Sequence, residues 1–114
     1  MLRLERAVVW QRLDRPGSEY CELWEAESGW ELRGTVVLVD RGAPLLVRYA
    51  VACDATWSTR TVQVELTAGA LSHALSLHVD ESGQWWRNSE EITALRGCVD
   101  VDLAFTPSTN TLPI

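Results

Sequence analysis

"WELRGTVVLVDRGAPLLVRYAVACD", residues 30 to 54, reads as two long strands joined by a turn. In its first half Trp30, Leu32, Val36 and Leu38 share one side. Glu31, Arg33 and Thr35 share the other, until Val37 and Val39 make that side partly apolar. In its second half Leu45, Val47, Tyr49, Val51 and Cys53 line one face, with Arg48, Ala50 and Ala52 opposite. Alternation with a period of two puts successive side chains on opposite faces of a strand, and "DRGAP" at 40 to 44 supplies the residues a chain reversal needs. The stretch therefore specifies an antiparallel pair with one greasy face.

The same grammar extends in both directions. Turn chemistry recurs as "DRPG" at 14 to 17, "SG" at 28 and 29, "DAT" at 54 to 56, "AGA" at 68 to 70 and "DESG" at 80 to 83. The runs between these signals are rich in valine, threonine and tryptophan, which predicts a long antiparallel meander. In "LSHALSLHVD" the alternation turns Leu71, Leu75, Leu77 and Val79 inward and Ser72, Ser76, His78 and Asp80 outward. Strands of about ten residues, each roughly 33 Å long, suit a curved or coiled sheet. One short helix is predicted at "NSEEITALRG", where Asn88 can cap, Glu91 completes a capping box, Ile92 and Leu95 form an apolar stripe and Gly97 can terminate. The expected fold class is all-β, or β-rich with that one helix.

Composition bounds the function. The 114 residues are 46% apolar and 23% charged, as expected of one folded domain. Sixteen acids face ten basic residues, all arginine, for a net charge of −6. An acidic chain without a basic cluster repels phosphate backbones and anionic lipid surfaces, so neither nucleic acid nor a membrane surface is expected as a partner. Charges at Arg3, Glu5, Arg6 and Arg12 break any apolar leader, and no window approaches the roughly 18 apolar residues of a membrane span. A cytoplasmic location is expected. Cys21, Cys53 and Cys98 are odd in number and lack metal or redox spacing, and read as small buried hydrophobes.

Several residues are candidates for chemistry. In "DATWSTRTVQVEL", counting by two places Arg60 with Ser58, Val62, Val64 and Leu66 on the apolar side, opposite Thr59, Thr61, Gln63 and Glu65. A guanidinium stays charged, so there it either anchors a phosphate, carboxylate or sugar hydroxyl, or reaches solvent or an acid such as Asp54 at the strand end. His73 falls among leucines, as a hydrogen-bonded core histidine would. His78 is on the opposite face, so the two cannot chelate one metal ion. Asp100 and Asp102 share a strand face with Cα atoms roughly 6.6 Å apart, a spacing open to glycoside hydrolysis, calcium or an arginine partner. Val99, Val101, Leu103 and Phe105 take the alternate face, which favours acids that keep one strand face wet. Six tryptophans can pack in the core, stack on sugar rings or line a lipid pocket, and the adjacent Trp85 and Trp86 must point to opposite faces. No GxSxG, Walker, GxGxxG or HExxH motif is present.

Two stretches, "YAVACDATWSTRTVQVEL" and "GCVDVDLAFTPSTNTLPI", resemble the bacterial glycolipid-binding family. The resemblance is carried by Asp54, Trp57, Thr59 and Arg60, then by Asp100, Asp102, Leu103, Thr106, Pro107, Thr109, Asn110, Thr111, Leu112 and Pro113. It implies a spiral β-roll, a long sheet wrapped around a helix, and a glycolipid as ligand. It also implies strands beyond Ile114, so residues 1 to 114 are expected to form one roll-like domain lacking the family's C-terminal strands. Such a roll would expose an open sheet edge through which it could form a homodimer.

The function expected from these readings is non-enzymatic binding of a glycolipid or other amphiphile on a concave apolar sheet face. Arg60, Trp57, Tyr49 and His73 are the ligand-binding candidates, and no metal or cofactor is required. The rival readings are a glycoside hydrolase using Asp100 and Asp102, and a structural fragment that acts only through self-association.

Overall fold

The computed structural model describes residues 2–11, 13, 16–87 and 90–91. Those residues form one open sheet of eight antiparallel strands in sequence order. The strands are β1 (Arg3–Gln11), β2 (Gly17–Ala26), β3 (Gly29–Asp40), β4 (Ala43–Asp54), β5 (Thr59–Ala68), β6 (Leu71–Val79), β7 (Trp85–Arg87) and β8 (Glu90–Glu91). No helix occurs among the described residues, so none there is long and apolar enough to cross a membrane.

The predicted helix gives way where it can be compared with the structure. Glu90 and Glu91 are extended and pair with Arg87 and Trp86 of β7. A one-turn capping pattern is weak against a neighbouring strand that offers ready ladder partners. Asn88, Ser89 and Ile92–Gly97 lie outside the described residues, as do Cys98, Asp100, Asp102 and the rest of the tail.

The hairpin of β3 and β4 forms the centre of the sheet. Its twelve-residue strands pair in unbroken register from Gly29↔Asp54 to Asp40↔Ala43. A two-residue turn closes it, with φ 51° at Arg41 and 81° at Gly42. Positive φ at both central positions matches the right-handed twist of the flanking strands. Alternation decides the faces as the sequence implies: Leu32, Val36 and Leu38 of β3 and Val47, Tyr49, Val51 and Cys53 of β4 are buried.

One apolar cluster joins these residues to Cys21 of β2, Val62 of β5, Val79 of β6 and Trp85 of β7. The cluster runs through neighbouring strands along one face of the sheet from β2 to β7. Full burial of Val51 and Val62 contributes roughly 1.5–3 kcal/mol each. Trp85 is buried and its neighbour Trp86 is half-buried, as opposite faces require.

The inner row at the middle of the sheet runs Val8, Cys21, Gly34, Tyr49, Val64, Leu75 across β1 to β6. Gly34 makes room in this row for the Tyr49 ring, because a Cβ there would sit inside the van der Waals envelope of that ring. Tyr49 thereby crosses β3, and its hydroxyl donates to the buried carboxylate of Glu19 and lies 3.6 Å from Cys21 Sγ.

The far side of the inner face differs from expectation. Leu71 and Leu75 point inward by register, yet they are 67% and 37% exposed. His73, opposite Leu66, is exposed too and so is not a core histidine. Leu71, His73 and Leu75 thus form an exposed stretch of the inner face on β6.

Replacing Gly34 by alanine is expected to drive Tyr49 from its seat and lower stability by about 1–3 kcal/mol, as overpacking does. Urea denaturation followed by fluorescence reads this, and an unchanged midpoint would contradict the packing described.

Candidate functional site

Two bulges shape the end of the sheet that holds the site. In β1 the register moves from Leu4↔Trp24 to Arg6↔Leu23, which leaves Glu5 as the extra residue. In β5 it moves from Ala52↔Thr61 to Cys53↔Thr59, which leaves Arg60 as the extra residue. A bulge sets two residues against one, kinks the strand and upsets period-two counting.

The second bulge corrects the faces read from "WSTRTVQVEL". Thr59, not Ser58, occupies the inner position beside Cys53, and it is buried, while Arg60 is half-buried at the kink. The hydroxyl of Thr59 has no hydrogen-bond partner among the described residues. Arg60 acts on Asp54 by its charge, as the smallest of the influences that hold that carboxyl below its ordinary range.

A cleft of about 540 Å³ opens on the inner face between the first bulge and the β4–β5 loop. Its floor is Val8, Cys21, Leu23 and Leu32, and Glu5 and Arg6 are its charged groups. The bulge explains why two adjacent β1 residues line one cleft. Trp10 borders it, as do Trp30 and Trp57, whose rings stack with centroids 4.8 Å apart and planes 14° from parallel. Glu5 accepts from the Arg3 guanidinium, which also pairs with Glu25 at 2.9 Å. Among the described residues Arg6 has no ion-pair partner. The volume lies within the roughly 300–1,000 Å³ usual for small-molecule sites, and an apolar floor with few charged groups matches their chemistry.

The loop behind Trp57 is built around one carboxylate. Asp54 Oδ1 accepts from the Thr56 amide at 2.9 Å, the Thr56 hydroxyl at 2.7 Å and the Ser58 amide at 3.0 Å. These donors stabilise the ionised form, the Thr56 hydroxyl most, and lower its pKa. Asp80 plays the same part between β6 and β7. Its Oδ1 accepts from the Ser82 amide and hydroxyl and the Gln84 amide, and its Oδ2 accepts from the Trp86 indole at 3.0 Å. The Trp86 indole above all, then the Gln84 amide, hold this carboxyl at a pKa of about 2.

The four ligand-binding candidates therefore occupy different surroundings. Trp57 lines the cleft. Tyr49 closes the centre of the core, Arg60 sits at the β5 kink and His73 is exposed on the inner face of β6. Sequence reasoning missed Glu5 and Arg6, whose common face depends on a bulge, and the buried Glu19, which accepts from Tyr49. Trp30 was legible only as a core or sheet-face residue.

The other depressions are less suited. One of about 350 Å³ is bordered by Arg48, Gln63, Glu65 and Ser76 of the polar face. Another of about 520 Å³, by Val37, Leu38, Leu45 and Leu46, has no charged residue in its lining. The polar face carries its own network: Tyr20 Oη and Trp24 Nε1 donate to Glu22, Arg33 donates to Glu31 at 3.0 Å, and the Arg33 guanidinium lies 5.1 Å from the Trp24 ring centre. His78 faces Trp86 there, with ring centroids 6.2 Å apart. No group of three metal-binding side chains occurs among the described residues.

A family model described as "Putative glycolipid-binding" matches residues 7–114. The fold is also similar to the crystal structure of a DUF1089 family protein from Pseudomonas aeruginosa, with a TM-score of 0.71 and 27% sequence identity. The alignment covers 96% of this chain and 60% of that one, so the chain spans less than two thirds of its structural neighbour. No curated protein matches the sequence.

The depressed Asp80 pKa sets a pH dependence. A carboxyl with a lower pKa in the folded than in the unfolded state contributes stability that is complete above its unfolded value and lost as pH falls through the folded one. Asp80→Ala is thus expected to lower the thermal midpoint at pH 7, with the gap from wild type closing between about pH 4 and pH 2. A gap that stays constant over that range would contradict the hydrogen bonding described.

Proposed function

This chain belongs to the "Putative glycolipid-binding" family, and we propose that it is a non-enzymatic, cytoplasmic binding protein that takes a glycolipid or another amphiphile into the concave cleft beside β1. The observation that carries this reading is the cleft's division into two chemistries. Val8, Cys21, Leu23 and Leu32 offer a floor for an acyl chain, and Glu5 and Arg6 meet a polar headgroup beside the stacked indoles.

Burial of a chain on such a floor supplies affinity in proportion to the apolar area removed from water. The charged groups supply orientation. Arg6 is free to donate in a fork to a phosphate, carboxylate or pair of hydroxyls, and Glu5 can accept from a hydroxyl. Arg60, Tyr49 and His73 enter the proposal as an outer set: Tyr49 fixes the floor's far wall, while Arg60 and His73 could contact a ligand extending across the concave face.

The test is extraction of purified protein with organic solvent followed by mass spectrometry, together with native mass spectrometry of the intact chain. A bound amphiphile at one copy per chain is expected. Arg6→Gln should keep the fold and weaken binding of an amphiphile with an anionic headgroup by about tenfold. Absence of any retained lipid, with no saturable binding of added amphiphiles, would overturn the reading.

A further inference from the structure

The loops before β5 and before β7 are the same turn built twice. In the first, the Asp54 amide donates to the Ser58 carbonyl at 3.0 Å and the Trp57 amide to the Asp54 carbonyl at 3.0 Å. In the second, the Asp80 amide donates to the Gln84 carbonyl at 2.9 Å and the Gly83 amide to the Asp80 carbonyl at 3.1 Å. Each aspartate collects the same three donors, from the residue two on, its hydroxyl, and the residue four on. The fourth residue adopts left-handed backbone in both, φ 68° at Trp57 and 80° at Gly83.

Left-handed backbone suits Gly83 and strains a tryptophan, whose Cβ crowds the following carbonyl. Strain of this kind persists where surrounding contacts over-determine it and where the side chain has a use. The β6–β7 loop, which lines none of the depressions described above, carries glycine, whereas the loop on the cleft carries an indole stacked on Trp30. A site for an acyl chain alone would not need this, since Val8, Leu23 and Leu32 already provide aliphatic surface.

We propose that Trp57, presented by the Asp54 turn and backed by Trp30, is the platform on which a pyranose ring of the ligand stacks. A pyranose has a face of C–H groups that meets the electron-rich face of an indole, and a rim of hydroxyls. Glu5 and Arg6 in the same cleft supply an acceptor and donors for that rim. Asp54 is a positioning residue, touching the ligand only through the backbone it holds. The inference rests on the amphiphile reading above and names the side chain that holds the ligand's sugar.

The experiment compares n-octyl β-D-glucopyranoside with octyl tetraethylene glycol ether, both titrated calorimetrically below their micelle concentrations. The wild-type protein is expected to bind the glucoside about tenfold more tightly, and Trp57→Leu to lose that preference while the ether's affinity stays within about twofold. Asp54→Ala should behave as a milder Trp57→Leu. Asp80→Ala, which disturbs the twin turn outside the cleft, should keep the preference and so separates positioning from general destabilisation. Equal affinities in wild type, or a preference that survives Trp57→Leu, would overturn the stacking and leave the amphiphile reading standing. Failure to bind either compound would overturn both.

Discussion

The described residues form a single coiled sheet that lines its concave side with its own side chains, and Tyr49 lying across Gly34 closes the centre of that side. The tyrosine carries apolar area onto the strand where glycine leaves a gap, and its hydroxyl satisfies the buried Glu19 carboxylate. The hydrogen bond between them contributes about 1 kcal/mol to stability. With the middle sealed, hollow space remains toward the end where β1 kinks. The cleft is thus a consequence of where the row from Val8 to Leu75 is filled and where it is not.

The irregularities cluster around that hollow. One bulge turns Glu5 and Arg6 onto the same side, the other interrupts β5 at Arg60, and the Asp54 turn delivers Trp57 in a strained backbone state. Regular strands would have alternated these groups between the two faces. The long unbroken register of β3 and β4 supplies the rigid frame against which three local departures can be held.

Much of the fold was legible because the dominant signal is periodic. The faces of β3 and β4 follow from counting by two, and the turns after β3, β4, β5 and β6 fall at "DRGAP", "DAT", "AGA" and "DESG". The departures have no period. One extra residue at Glu5 or Arg60 leaves the local composition unchanged while reversing the faces beyond it, so counting puts Arg60 on the apolar side and Thr59 on the polar one. Glu19 in "GSEYCELWEA" falls by count on the side of Cys21 and Leu23, but nothing in the sequence announces the tyrosine thirty positions away that donates to its buried carboxylate. The glycine at 34 opposite Tyr49 was the one available hint, since glycine inside a strand marks a close approach. The capping pattern at "NSEEITALRG" misled at Glu90 and Glu91, where an adjacent strand offered better partners than an isolated turn.

The account stands on a guest lying in the cleft beside β1, and the indole N–H signals in a two-dimensional nitrogen–proton NMR spectrum report on that most directly. Titration with a single-chain glycoside should move the signals of Trp10, Trp30 and Trp57 and leave those of Trp24 and Trp86 on the opposite face in place. Shifts confined to Trp24 and Trp86, or no shifts at all in a saturable titration, would contradict it.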